Sequence, residues 1–68
     1  MGMSLQTIIA RDNELTRFKH YVLDNPDFTF DQLVDGFGFQ HVNPDKHRDN
    51  LVVIVRDTIR YPHRTPKL

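Results

Sequence analysis

Four histidines, at 20, 41, 47 and 63, are the side chains of this sequence best suited to metal ligation or proton transfer. Only His41 and His47 lie near one another, across Pro44, and no carboxylate stands at a recognisable ligand spacing from them. A structural zinc site takes four clustered nitrogen or sulfur donors, and the chain has no cysteine to supply thiolates. Isolated surface histidines are the simpler reading, so no metal is assigned. A calcium loop of the D-x-D-x-D-G type is absent as well. Ser4 is the sole serine, which argues against a serine triad, and the lack of cysteine removes disulfides and thiol catalysis. The aspartates read as solvated caps and turn residues rather than as acid–base pairs. A substrate pocket of about 300 Å³ or more is hard to enclose in so short a chain. The expectation is a non-enzymatic protein that needs no cofactor.

The second candidate for chemistry is Asp31-Gln-Leu-Val-Asp-Gly-Phe-Gly-Phe-Gln40, with two glycines between phenylalanines. A phosphate loop needs G-x-x-x-x-G-K-[ST], and a dinucleotide fingerprint needs a third glycine opening a helix after a strand. Here the glycines follow a helical pattern, and Asp24, Asp27, Asp31 and Asp35 would repel a phosphate. The stretch is a helix stop.

The elements that must position these residues can be read from capping and periodicity. Ser4 is a reasonable N-cap for a first helix running towards Leu23, with Leu5, Ile8, Ile9, Leu15, Phe18 and Val22 on one stripe. Asn25-Pro26 ends it, because a residue before proline is pushed out of helical geometry. Thr29-Phe-Asp-Gln32 fits a capping box, and Phe28 and Leu33 have the spacing of a hydrophobic staple. The second helix therefore begins at Phe30. Gly38 is the better left-handed stop than Gly36, since it sets Phe39 against Val34 in a Schellman contact. Asn43-Pro44-Asp45 reads as the start of a third helix reaching Arg60, with Arg48, Leu51, Val52, Val55 and Ile59 on its apolar face. The β-branched run Leu51-Val-Val-Ile-Val55 keeps a rival open, a hairpin pairing 37–42 with 51–60. Pro62 closes the element, and 63–68 reads as a flexible basic tail.

Residues 30–60 resemble helix-turn-helix domains, most nearly the second such unit of arabinose-regulator-type activators. Phe30-Asp-Gln-Leu33, the Phe37-Gly38-Phe39 turn and the polar-then-apolar run from Pro44 to Arg60 carry the resemblance. It implies that Lys46, His47 and Arg48 would read DNA. The linker of about six residues is longer than the three or four usual in such units, and Asp45 and Asp49 flank the readers.

The fold expected is all-α, a single domain over 1–62 made of three helices in a helix-turn-helix-like arrangement. The alternative is α+β, winged-helix-like, with the C-terminal hairpin. A neutral total charge hides a division: residues 24–45 carry five Asp and no Lys or Arg, whereas 46–68 are net basic. Zero net charge is a handicap for phosphate binding, which depends on cations displacing counterions. No apolar run nears the roughly 20 residues of a membrane span, and no signal-peptide pattern opens the chain. A cytoplasmic protein without a membrane partner is expected. The function that fits best is regulation by protein–protein binding, of the kind small phage or plasmid proteins use on host transcription machinery such as RNA polymerase or a transcription factor. Asp31 and Asp35 with Phe37 and Phe39 would meet a basic or apolar groove, and Arg56, Arg60, Arg64 and Lys67 an acidic partner or phosphates. Direct DNA binding through Lys46, His47 and Arg48 is one alternative. A subunit that self-associates, as a homodimer for example, is the other.

Overall fold

A computed structural model describes residues 5–66, in three α-helices and a closing 3-10 turn: α1 (Leu5–Asp24), α2 (Phe30–Phe37), α3 (Arg48–Arg60) and Pro62–Arg64. The class is all-α. No strand occurs among the described residues, and 51–60 lies wholly within α3, so the hairpin alternative is not formed. The valine run costs a few tenths of a kcal/mol per residue in intrinsic helix preference, a bias that packing on α1 readily overrides. The expected cap Ser4 lies outside the described residues, as does Lys67.

α1 ends where the sequence says it must. The Asn25 amide side chain donates to the Tyr21 carbonyl at 2.9 Å, and the Phe28 amide donates to the Asn25 carbonyl at 3.1 Å, turning the chain around Pro26. α2 starts on the expected capping box: Thr29 Oγ1 accepts from the Gln32 amide at 3.2 Å, and Gln32 Oε1 accepts from the Thr29 amide at 2.9 Å. Gly38 closes α2 in the left-handed region, at φ 70°. Its amide donates to the Val34 carbonyl at 3.2 Å, the single bond of the simpler left-handed cap rather than the Schellman pair. Phe39 turns to the core instead of resting only on Val34.

That core is small. Phe18, Val22, Leu33 and Leu51 are each under 2% exposed, and Val42 is also buried. The rings of Phe18, Phe37 and Phe39 meet in a mutual cluster, with centroids 5.2, 4.7 and 4.8 Å apart. Phe37 also approaches Tyr21 at 5.7 Å. Edge and tilted contacts of this kind suit the ring quadrupole.

The third helix starts later than expected. Asn43 Oδ1 accepts from the amides of Asp45 and Lys46, and the His47 amide donates to the Asn43 carbonyl at 3.1 Å, so 44–47 close a separate turn. His47, at φ −112° and ψ 27°, interrupts the helical run before α3 begins. Ten residues, 38–47, therefore link α2 to α3, where tight helix-turn-helix units use three or four. The buried face of α3 is also rotated from the one expected. Leu51 and Thr58 are buried, and Ile54 and Val55 pack against the core, while Val52, Val53 and Ile59 face out. Four consecutive apolar residues, 52–55, leave the phase of the helix open in the sequence, and contact with α1 chooses it.

Candidate partner-binding surfaces

The long linker is held by a side chain that the sequence reading passed over. Glu14, in the middle of α1, is only 3% exposed. Its carboxylate accepts from three successive amides: Gln40 to Oε2 at 2.8 Å, Val42 to Oε1 at 2.8 Å, and His41 to both oxygens at 3.1 and 3.2 Å. Burial by itself would raise the carboxyl pKa. The bonds from Gln40, Val42 and His41, with the nearby His41 charge, outweigh it and hold the group below the ordinary carboxylate range. The arrangement consumes every available acceptor position on backbone donors, so it is a clasp and leaves nothing for a substrate. A glutamate between apolar positions of a stripe is the only sequence trace of it.

The residues singled out for partner binding fall in different places. Asp31 is turned towards α3, where Oδ1 accepts from Arg48 at 3.2 Å; both side chains are largely solvated. Such a pair contributes little to stability. Asp35 is exposed on α2. Phe37 and Phe39 are half-buried and spend their faces on Phe18, so they brace the core and do not form an outward pair. Of the proposed DNA readers, Lys46 is exposed in the turn, while His47 lines a hollow between α1 and α3. Arg48 stacks over the Phe30 ring at 4.8 Å. Each of the three thus has a different environment: solvent for Lys46, the hollow for His47 and the Phe30 ring for Arg48.

The basic residues are brought together. Arg56, Arg60 and the exposed Val52, Val53 and Ile59 share the outward face of α3, within about 120° of arc at 100° per residue. Arg56 lies 3.5 Å from the neighbouring Asp57, a weak exposed pair. Arg60 and Arg64 both lie over the Tyr61 ring, at 5.4 and 4.5 Å. Arg64 and Tyr61 also border a hollow of about 230 Å³ with Lys19 of α1, a residue the sequence gave no reason to place there. Among the described residues Lys19, Arg60 and Arg64 have no ion pair. Within the segment expected to be a flexible basic tail, Pro62–Arg64 forms a 3-10 turn, and the Pro66 carbonyl accepts from Nε2 of His20 on α1.

Among the described residues no group of three or more His, Cys, Asp or Glu side chains is placed to hold a metal ion. No described helix is long and apolar enough to cross a membrane. No family model, no curated protein and no solved structure matches the chain. Function must therefore be argued from this geometry alone.

Proposed function

We propose that the protein is a small non-enzymatic regulator that works by gripping another protein with the outward face of α3. One observation carries this reading. Val52, Val53 and Ile59 remain 43–48% exposed on a helix that had other faces to bury, and Arg56 and Arg60 stand between them. Exposed apolar side chains gathered in one patch mark interaction surfaces. Arginine is enriched in such surfaces because its planar fork pairs with carboxylates while its stem packs on apolar groups. The matching partner is an amphipathic segment with acidic and aliphatic side chains, its acids reaching Arg56 and Arg60 and, at one end, Arg64 and Lys19. RNA polymerase or a transcription factor is the partner class we propose. A nucleic-acid partner fits less well, since it has no use for Val52, Val53 and Ile59.

Affinity capture from host lysate, with partners identified by mass spectrometry, tests this. The expected result is one specific protein retained by the wild type and lost with an Ile59→Asp, Arg60→Glu variant whose helical circular dichroism is unchanged. Tight binding of duplex DNA that weakens steeply with salt would overturn the reading.

A further inference from the structure

A second apolar surface lies apart from the outward face of α3. α1 spans 20 residues, about 30 Å at 1.5 Å per residue, and outruns both of its neighbours. Its first half consequently leaves Leu5, Ile8 and Ile9 at 70, 43 and 49% exposure, although the sequence pattern assigns all three to the core stripe. Ile8, Arg11, Asp12 and Leu15 line one hollow of about 240 Å³, whose other wall includes Leu51 and Ile54 of α3. Two of these four are charged, and among the described residues neither has an ion pair. The Nε of Arg11 is buried with no hydrogen-bond acceptor.

The order of these four residues says what covers them. Ile8, Arg11, Asp12 and Leu15 stand at i, i+3, i+4 and i+7, a single stripe of one helix. Read in the opposite direction, the stripe complements itself: an aliphatic side chain falls opposite an aliphatic one, and a cation opposite an anion. We propose that the first half of α1 pairs, antiparallel, with the same segment of a second copy of this chain, about a two-fold axis passing between Arg11 and Asp12. In that register Ile8 of each copy packs on Leu15 of the other, and Arg11 of each meets Asp12 of the other. The contact is isologous, as a two-fold interface must be. Each Arg11 guanidinium thereby gains a carboxylate, where the isolated chain gives it no ion pair among the described residues. A formal net charge of zero means that two copies approach without mutual repulsion. An arbitrary apolar partner would satisfy Ile8 and Leu15 but has no reason to place an acid and a base in the order that Arg11 and Asp12 require.

Sedimentation velocity on the full chain over a range up to about 100 µM tests the pairing. The wild type should show a concentration-dependent dimer. Arg11→Glu places two acids against each other at both symmetry-related contacts, and Asp12→Arg two bases. Each single variant should weaken association at least about tenfold. The double variant Arg11→Glu, Asp12→Arg restores opposite charges and should dimerise again. An equimolar mixture of the two single variants should form a heterodimer. Ile8→Glu, at an exposed position where folding is easily verified by circular dichroism, should be monomeric. A wild type that stays monomeric throughout overturns the proposal and leaves the hollow to a partner of other sequence. Single variants that dimerise as well as the wild type overturn the register.

Discussion

Replacing Glu14 by Gln keeps the shape of the side chain and removes the reason it is buried. The carboxylate presents an acceptor at both oxygens, and backbone amides approach each to 2.8 Å. A glutamine offers one oxygen and one NH₂ group. Whichever way it is turned, the NH₂ faces an amide N–H, so one bond is lost and one buried donor is left unsatisfied. A hydrogen bond to a charged group is worth about 1.5–3 kcal/mol, and an orphaned buried group costs about 1–3 kcal/mol. The loss expected for Glu14→Gln is about 3 kcal/mol. At roughly 0.05–0.15 kcal/mol per residue a domain of this length has only about 3–10 kcal/mol in total. Melting followed by circular dichroism should therefore fall by about 10–25 °C at pH 7. Acid gives an independent check. Because the folded pKa of Glu14 is depressed, its contribution is complete above the unfolded carboxyl value of about 4.3 and is lost as pH falls through the lower folded value. Glutamine does not titrate there, so the gap between wild type and variant should narrow steadily as pH drops below about 4. Equal melting temperatures at pH 7, or a gap that stays constant into acid, would refute the clasp.

Three further substitutions probe other parts of the fold. A Cβ on Gly36 would run into the Tyr21 hydroxyl, so Gly36→Ala should not yield the roughly 1 kcal/mol of helix preference that alanine normally brings. Made in a Tyr21→Phe background it should; urea denaturation of the four proteins checks this, and full stabilisation by Gly36→Ala alone would contradict it. Gly38→Ala meets nothing within 4 Å but must hold φ at 70°. It should cost about 1–2 kcal/mol, with Gly38→Asn costing less. Phe39→Ala removes ring contacts to both Phe18 and Phe37, and should lower stability by about 2 kcal/mol or more. A variant that lost partner binding without losing stability would show Phe39 to be a docking residue instead.

Local signals in the sequence were sufficient wherever one residue settles its own backbone. Thr29 with Gln32 fixed the start of α2, Gly38 its end and Pro26 the end of α1, because capping bonds and proline geometry act over three or four residues. The same short-range rules favoured the all-α class, but the β-branched run 51–55 left the hairpin open, and only the structure places 51–60 in a helix. The later start of α3 escaped them: Asn43-Pro44-Asp45 carries a good start signal, and Asn43 does cap a turn, but His47 breaks the run. The Glu14 clasp on 40–42 escaped them too, a contact between residues 26–28 positions apart that no local pattern announces. The face of α3 was likewise open, since residues 52–55 are apolar in any phase.

The candidate surfaces follow the same division. The sequence by itself determined which residue types were present: arginines near the C-terminus, acids in the middle, no cysteine and a single serine. Only the tertiary structure decided which side chains remained outside. Packing on α1 selected Leu51, Ile54, Val55 and Thr58 for the inward side of α3. It thereby left Val52, Val53 and Ile59 beside Arg56 and Arg60. It drew Phe37 and Phe39 onto Phe18, and the length of α1 left Leu5, Ile8 and Ile9 uncovered. The physical reason is common to all of them: apolar burial is non-directional, so the sequence specifies how much can be buried, and the docking of one helix on another specifies which residues are.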